Sequence, residues 1–422
     1  MFDFSKDLLK QSDLALEKAK SEFALIDEIA EYNQQKMLCG FIKNHVSEAM
    51  FTPSTGYGYG DAGREAIDRL FADVVGAEDA VVRHNFTCGT HTLGTALFGV
   101  LRPGDTMLCV TGLPYDTIQP VIGIGGDSDD SGSLRDFGVR YEQVELLPNG
   151  MPDLAAIEQA IKEKQPKMVY IQRSRGYSLR PSLSVAQIET IVIITKKNSS
   201  AIVMVDNCYG EFTEKKEPTE VGADLMAGSL IKNPGGGIAP TGGYIAGRHD
   251  LVEKCCYRLT TPGLGREVGA TLGHTRALFM GLFQAPHIVG EALKTAAYAS
   301  ALFSLLGFET TPVSGETRHD IIQAILLKRA ENLVAFCRGL QKASPIDSFV
   351  VPEPCQTPGY DCPVIMAAGA FTMGSSIELS ADGPLREPFA VWMQGGLNFH
   401  SAKLAVLCAA QEVLNEEQKV NG

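Results

Sequence analysis

Short apolar runs alternate with stretches of helical spacing between residues 80 and 247. The runs at 80–82, 106–110, 168–171 and 202–205 are typical of buried strands, and helical patterns lie between them, for example at 154–164 and 185–197. This alternation predicts a mostly parallel sheet that is flanked by helices, since parallel strands are joined by helical crossovers. The main body of the chain is therefore expected to be of the α/β class.

The chain is too long for one typical hydrophobic core, with 422 residues of which 45% are apolar. Apolar positions at helical spacing over 5–33 predict one long amphipathic helix. Beyond about residue 285, helical stretches at 287–306, 329–341 and 400–416 flank strand candidates at 364–368 and 375–379. We therefore expect an N-terminal helical arm (1–51), a large domain (52–285) and a smaller α+β C-terminal domain (286–422).

Composition and spacing argue against several classes of function. The net charge of −13 argues against broad nucleic-acid binding. The charged N-terminus and the lack of a long uncharged apolar run predict a cytoplasmic protein without a membrane span. The ten cysteines and eight histidines show no zinc-type spacing, so no metal site is expected. A G-x-G-x-x-G match at 58–63 does not follow a buried strand, which argues against a dinucleotide site.

A carboxylate and a lysine follow two apolar runs in the second half of the predicted sheet. Asp206 lies just past the run at 202–205, and ligands gather at the carboxyl ends of parallel strands. Lys232 follows a short apolar run and enters a glycine-rich turn, which permits close approach of the backbone to a ligand. The two are 232 − 206 = 26 residues apart, which is enough for a connecting element and another strand.

This pair meets the needs of pyridoxal 5′-phosphate (PLP) chemistry. A lysine amine forms the Schiff base with PLP, and an acidic partner keeps the pyridine nitrogen protonated. The lysine must lose its proton to attack, so we expect it to be partly desolvated or near other positive charge. A strand-end cap and a surface lysine are the ordinary interpretations of Asp206 and Lys232 taken singly. Their joint occurrence in this order favours the PLP interpretation.

A phosphate site is predicted after the first strand. Gly89 and Thr90 lie where a loop opens a helical stretch, and such a loop presents free N–H groups and the positive end of a helix dipole to an anion. The hydroxyl of Ser229 is expected to converge on the same phosphate. Ordinary helix capping is the alternative for this loop.

With these motifs, the chain resembles the cystathionine-lyase and methionine γ-lyase superfamily of fold-type-I PLP enzymes from about residue 57 to the C-terminus. Val-Asp206-Asn and Ser229-Leu-Ile-Lys232 are the most specific matches. Segments 172–177 and 393–397 are similar to the branch called the methionine γ-lyase family or aluminium-resistance proteins. The resemblance implies the fold-type-I PLP-dependent transferase fold and a homodimer or homotetramer with shared active sites.

The resemblance also implies roles for single residues. Lys232 matches the Schiff-base lysine, and Asp206 matches the partner of the ring nitrogen. Tyr115 matches a tyrosine that stacks on the PLP ring, and it joins Lys232 as a catalytic candidate. Gly89, Thr90 and Ser229 match the phosphate site. Tyr57 and Tyr59 match a loop that reaches the cofactor phosphate of the neighbouring subunit. Arg386 matches the arginine that holds the substrate α-carboxylate.

The sequence departs from the better-known lyases at two places. Those enzymes carry a phosphate-binding arginine where Tyr59 falls, and Arg64 is the candidate substitute. They also have a proline-rich element near residues 172–177, so the substrate side of the pocket differs. A substrate carboxylate is normally held by a bidentate arginine. The competitors of Arg386 for this role are Arg173, Arg175 and Arg180.

The resemblance implies a lyase that cleaves a carbon–sulfur bond of an amino acid by β- or γ-elimination, giving a keto acid, ammonia and a thiol. Lys232 would remove the Cα proton as general base. Two alternatives stay open. One is another PLP reaction on the same scaffold, of the aminotransferase or aldolase type. The other is a PLP-binding stress-response protein with little turnover, because a fold does not determine a function.

Overall fold

The computed structural model describes residues 2–125, 130–356 and 362–421. The chain forms two compact units, a larger one of residues 32–284 and a smaller one that joins residues 1–31 to residues 285–422. Both boundaries fall within long helices, α1 (Lys6–Lys43) and α8 (Thr275–Leu305). The finer division into 1–51, 52–285 and 286–422 stays a prediction.

The larger unit is built on a seven-stranded sheet. Its strands are β1 (Asp79–Arg83), β2 (Thr106–Cys109), β3 (Arg140–Gln143), β4 (Met168–Gln172), β5 (Ile202–Asp206), β6 (Leu225–Ser229) and β7 (Gly243–Gly247), in the spatial order β1-β7-β6-β5-β4-β2-β3. Neighbours from β3 to β6 pair in parallel, whereas β7 is antiparallel to both β6 and β1. The predicted mostly parallel sheet of the α/β class is confirmed.

Burial explains why these segments form strands. Every residue of β2, β4, β5, β6 and β7 is buried, so their sequences are near-continuous apolar runs. Val81, Met204 and Ile245 belong to one core cluster with apolar residues of the surrounding helices. The sheet is therefore fixed by burial, and polar residues are left at the strand ends.

The helices that lie within the larger unit are α2 (Ala62–Val75), α3 (Gly89–Val100), α4 (Gln119–Ile122), α5 (Leu154–Lys164), α6 (Val185–Asn198) and α7 (His249–Leu259). Side chains cap the starts of α2, α3, α5 and α6. Asp61 accepts a hydrogen bond from the Arg64 N–H at the start of α2, and Ser184 forms a capping box with Gln187 at the start of α6. Four 3₁₀ turns in this unit occupy Glu48–Phe51, Pro218–Val221, Asn233–Gly235 and Gly265–Glu267.

The smaller unit contains an antiparallel five-stranded sheet. Its strands are β8 (Glu309–Thr311), β9 (Ile322–Leu326), β10 (Val364–Ala367), β11 (Ser380–Pro384) and β12 (Ala390–Gln394), in the order β10-β11-β12-β9-β8, with helices α9 (Ala330–Lys342) and α10 (Phe399–Asn421). The start of α1 packs in this unit, where the Ser12 hydroxyl lies 2.7 Å from that of Tyr298. An ion pair of 2.7 Å also joins Glu22 to Arg318.

One strand prediction in the smaller unit is wrong. Residues 375–379 form no strand, and β11 begins only at Ser380. The carboxylate of Glu378 accepts hydrogen bonds from the N–H groups of Phe371 (2.9 Å) and Thr372 (2.7 Å). These bonds fold the chain back on itself, so the apolar and polar alternation of this segment does not become a strand.

Candidate active site

The predicted carboxylate and lysine follow adjacent parallel strands. Asp206 ends β5, Ser229 ends β6, and Asp206 lies opposite Ala227 in the register of the two strands. Lys232 comes three residues after Ser229, at the start of the 3₁₀ turn Asn233–Gly235. The carboxyl ends of β5 and β6 therefore bring Asp206, Ser229 and Lys232 to one edge of the sheet, where α/β proteins bind ligands.

The lysine amine is held over an aromatic ring. Lys232 is half-buried, and its Nζ lies 4.0 Å from the ring centroid of Tyr209. Tyr209 belongs to the turn that follows Asp206 and adopts φ +69°, an uncommon conformation for a residue with a Cβ. This turn aims the face of the ring at the ammonium group, which is attracted to it.

Neighbouring groups decide the charge of Lys232. Burial lowers the pKa of the amine, but Cys208, Tyr209, Tyr115 and Asp206 together raise its pKa above the ordinary value of a lysine. Burial also raises the pKa of the Cys208 thiol well above its usual range, so near pH 7 that thiol is neutral and the carboxylate of Asp206 is the neighbour that stabilises the ammonium form of Lys232. The amine is therefore an ammonium in the free protein and must lose a proton before it can bond to an aldehyde.

Asp206 is a buried carboxyl that few hydrogen-bond donors contact. It is 5% exposed; one oxygen accepts from the Cys208 N–H (3.1 Å) and the other from the Tyr170 hydroxyl (3.4 Å). Burial raises the pKa of Asp206 above its ordinary value, and the charge of Lys232 lowers that pKa in part. A cationic ring nitrogen at this position would stabilise the carboxylate in the same way that Lys232 does.

The predicted phosphate residues meet at the N-terminus of α3. Gly89 is the first residue of this 12-residue helix, and Cys88 caps it by accepting from the His91 N–H. A Cβ added to Gly89 would lie 3.4 Å from the Cβ of Ser229 and 3.6 Å from the sulfur of Cys208. The Ser229 hydroxyl is buried and has no hydrogen-bond partner among the described residues. A buried hydroxyl left unbonded beside a helix N-terminus suits an anionic ligand.

The loop that carries Tyr115 contacts the start of α3 near Thr90. The Thr90 hydroxyl lies 2.6 Å from that of Thr117, which links α3 to the loop that carries Tyr115. The Tyr115 N–H donates to the Gln172 side chain at 2.6 Å, and Tyr115 is close enough to raise the pKa of Lys232. A Cβ added to Gly176, which has φ +57°, would lie 3.0 Å from the Tyr115 ring. The loop after β4 therefore fixes this ring.

Two of the arginines that compete with Arg386 for the substrate-binding role, Arg173 and Arg180, already form hydrogen bonds to other parts of the protein. Arg173 is fully buried, and its guanidinium donates to Asn207 (2.8 Å), Gly210 (2.9 Å) and Glu214 (2.8 Å). Arg180 donates to the backbone oxygens of Pro181 (2.9 Å), Gln172 (2.8 Å) and Ser174 (2.5 Å). Both arginines build the loops around the site, so a substrate-binding role does not suit them. Arg386 lies just after β11 in the smaller unit, and its role stays a prediction.

Tyr57 and Tyr59 lie on the surface of the larger unit. Their side chains are 68% and 66% exposed, and the rings stack at 5.5 Å. The buried Arg64 holds this turn by donating to the backbone oxygens of Gly58 (2.7 Å) and Gly269 (2.8 Å). Arg64 thus supports the tyrosine loop, and the predicted contact of that loop with a neighbouring subunit stays a prediction.

Sequence reasoning missed two residues of the site, Tyr209 and Glu211. Both lie in the segment after Asp206, and Glu211 is a carboxyl of 1% exposure that accepts from the Tyr244 hydroxyl at 2.7 Å. The only signal in the sequence was their position directly after a strand-end carboxylate, where polar and aromatic residues line a ligand site.

The residues present fit PLP. Asp206 suits the ring nitrogen, Lys232 suits the aldehyde, and the unbonded Ser229 hydroxyl with the bare Gly89 backbone suits the phosphate. In the described part of the chain, no cluster of three His, Cys, Asp or Glu side chains suits a metal ion. The same residues include no helix that is both long and apolar enough to cross a membrane.

Fold and site together define the class of fold-type-I PLP enzymes. The pyridoxal-5′-phosphate dependent protein YhfS of Escherichia coli shares this fold at 16% identity, with a TM-score of 0.64 over 93% of this chain and 97% of that one. The family described as methionine gamma-lyase matches residues 7–414, and the chain belongs to that family. The resemblance inferred from the sequence is confirmed.

Two relatives match at close to half identity. A carbon-sulfur lyase involved in aluminium resistance from Clostridium novyi NT is 51% identical in its crystal structure, with a TM-score of 0.94 over 97% of this chain and 96% of that one. The uncharacterized protein YnbB of Bacillus subtilis (strain 168) is 47% identical over 396 residues, which cover 94% of this chain and 93% of that protein. The chain is therefore similar to these two relatives over nearly the full length of each.

Proposed function

We propose that this chain is a PLP-dependent lyase that cleaves a carbon–sulfur bond of an amino acid by β- or γ-elimination, releasing a keto acid, ammonia and a thiol. The observation that carries the proposal is the convergence of Lys232, buried Asp206 and the unbonded hydroxyl of Ser229 at the ends of two adjacent strands. The name of the Clostridium novyi relative supports the type of bond cleaved.

Each residue has a defined task in holding the cofactor. Lys232 would bind it covalently, and Asp206 would keep its ring nitrogen protonated. Ser229, Thr90 and the N-terminus of α3 at Gly89 would hold the phosphate, and Tyr115 would pack on the ring. When bound, PLP supplies an electron sink that stabilises negative charge at the substrate Cα.

Proton transfer falls to Lys232 and Tyr115. The freed Nζ of Lys232 takes the Cα proton as general base, which requires the neutral amine. The Tyr115 hydroxyl is near enough to influence the charge of that amine, so it is the second group that can hold or move a proton in the site. Arg386 is proposed to bind the substrate α-carboxylate, with Arg175 as its remaining competitor, since Arg173 and Arg180 are occupied by protein atoms.

An absorption spectrum of the purified protein tests the cofactor assignment. We expect uptake of PLP with a visible band, and borohydride reduction followed by peptide mapping should place the adduct on Lys232. Lys232→Ala should lose the adduct. Lys215→Ala is the matched control, because Lys215 also lies over a tyrosine ring, 5.6 Å from the centroid of Tyr32. A protein that takes up no PLP, or an adduct on another lysine, would overturn the assignment.

Product analysis tests the reaction. Sulfur amino acids should release a keto acid and ammonia in the wild-type protein without any amino acceptor. A strict need for a keto-acid acceptor would indicate an aminotransferase, and release of an aldehyde from a β-hydroxy amino acid would indicate an aldolase. A yellow protein that turns over none of these would indicate a PLP-binding protein with little activity.

We also propose that the active form is a homodimer or homotetramer. The exposed, stacked pair of Tyr57 and Tyr59 supports this, because two large aromatic rings lie on the surface of one subunit and Arg64 holds the turn between them. Light scattering should give a multiple of the 45.4 kDa chain mass. A monomer with full PLP binding and activity would refute the shared site.

A further inference from the structure

Glu211 ties together three parts of the active-site wall. Its carboxyl accepts from the Tyr244 hydroxyl of β7 at 2.7 Å. Its backbone oxygen accepts from the Asn233 side chain at 2.9 Å, and Asn233 directly follows Lys232. The segment after β5 is thus fixed both to the sheet and to the chain that carries the lysine.

The carboxyl of Glu211 also packs against β6. A Cβ added to Gly228, the residue before Ser229, would lie only 2.5 Å from Glu211 Oε1. The other oxygen, Oε2, is buried and has no hydrogen-bond partner among the described residues. An ionised carboxylate with one oxygen unbonded in a buried site is costly, so this environment favours the neutral acid.

The electrostatics agree with that geometry. Burial raises the pKa of Glu211 to about 8; the Tyr244 hydrogen bond lowers it, the charge of Glu217 raises it, and the charge of Lys232 lowers it. The titratable groups that face Glu211 are Tyr244, Glu217, Lys232 and Cys208. Near pH 7 the carboxyl is therefore mostly uncharged, although it borders the same lysine as Asp206.

We propose that Glu211 is a positioning residue of the cofactor site: its uncharged carboxyl packs beside Gly228 and Tyr244, and its ionisation weakens the binding of an anionic ligand. This inference rests on the proposed binding of PLP at Lys232. The added negative charge would raise the cost of holding a phosphorylated ligand and would hold Lys232 more firmly as an ammonium. Cofactor affinity would then fall as the pH rises through the ionisation of Glu211.

The test compares the pH dependence of ligand affinity in the wild-type protein and in Glu211→Gln. Glutamine retains an oxygen that accepts from Tyr244 but cannot ionise. The ligands are PLP, followed by its absorption, and pyridoxine 5′-phosphate, which lacks the aldehyde and so reports affinity without the covalent step. Between pH 6.5 and 9, we expect the wild-type dissociation constant to rise about fivefold more than that of Glu211→Gln. A bound anion that raises the pKa of Glu211 by about one unit, from about 8, changes affinity tenfold in full only well above pH 9.

A second variant covers the case in which Glu211→Gln does not fold. The Tyr244 hydrogen bond lowers the pKa of Glu211, so Tyr244→Phe should move the fall in affinity to higher pH. A purely structural role for Glu211 would weaken binding by the same factor at every pH. Parallel pH profiles of the variants and the wild type, with PLP bound at Lys232 in each, would overturn the role of Glu211. Absence of a Lys232 adduct in the wild type would instead overturn the proposed function.

Discussion

Replacement of Arg173 by methionine should destabilise the larger unit strongly. The guanidinium is fully buried and makes three hydrogen bonds of 2.8–2.9 Å, to Asn207, Gly210 and Glu214. Glu217, which is 2% exposed, lies 3.6 Å away and would lose its nearest cation. Methionine restores most of the volume, so the loss is one of charge and hydrogen bonding.

The expected cost follows from that arrangement. Removal of one partner from a buried ion pair costs about 3–5 kcal/mol. For a folding unit of some 150–250 residues, 1 kcal/mol shifts the melting temperature by about 2–4 °C, so we expect a loss on the order of 10 °C. Burial raises the pKa of Glu217 and Arg173 lowers it. In Arg173→Met this carboxyl would take up a proton more readily, so the loss should be smaller at pH 6 than at pH 8.

Calorimetry of the apoprotein measures this loss, and hydrogen exchange should show faster opening of the segment at 206–217. The matched control is Lys162→Met, which removes an ion pair of similar length (2.6 Å) whose partners are 55% and 36% exposed. Exposed pairs contribute little, so the control should melt like the wild type. A loss of less than about 2 °C in Arg173→Met, or the same loss at both pH values, would show that the reasoning on burial is wrong.

Three further results are expected. Ser229→Ala should weaken PLP binding without lowering thermal stability, because the hydroxyl of Ser229 has no hydrogen-bond partner among the described residues. Equilibrium titration measures the affinity and thermal melting measures the stability. An unchanged affinity would show that Ser229 is not part of the phosphate site. Gly228→Ala should lower the free energy of unfolding by about 1–3 kcal/mol, since the new methyl meets Glu211 at 2.5 Å; a neutral result in urea unfolding would contradict this packing. Between pH 5 and pH 8, the free energy of unfolding of the wild-type apoprotein should fall, relative to that of Glu211→Gln, by about 1.4 kcal/mol per pH unit. The reason is that the unfolded state releases the proton of Glu211 near pH 4.5, whereas the folded state releases it near pH 8. A difference between the two proteins that stays constant with pH would contradict the shifted pKa.

The parts of this fold that could be predicted from the sequence are those fixed by local pattern. Continuous apolar runs identify β1, β2, β4 and β5 because both faces of each strand are covered. The pairing of Asp206 with Lys232 could be inferred because PLP chemistry needs both groups, and the structure places them after the adjacent strands β5 and β6. The segment at 375–379 could not be assigned correctly, since hydrogen bonds to Glu378 override its alternation.

The roles of residues whose contacts lie far away in the sequence could not be predicted from local pattern. Arg173 and Arg386 look alike in the sequence, and only the partners of Arg173, up to 41 residues away, show that it is structural. The same holds for Glu211, whose protonation depends on burial and on Tyr244, 33 residues further along the chain. A single sequence therefore gives the location of the site but does not separate its charged residues by task.

The order of strands in the larger sheet has a consequence for the synthesis of this protein. Strand β1 pairs only with β7 in the described sheet, with Val81 opposite Ile245, so the partner is made 245 − 81 = 164 residues later. At about 5–20 residues per second, a ribosome needs roughly 10–30 s to reach it. During that time an apolar strand has neither its hydrogen-bonded neighbour nor its share of the core. Nascent chains of this protein should therefore depend on chaperones until β7 has emerged.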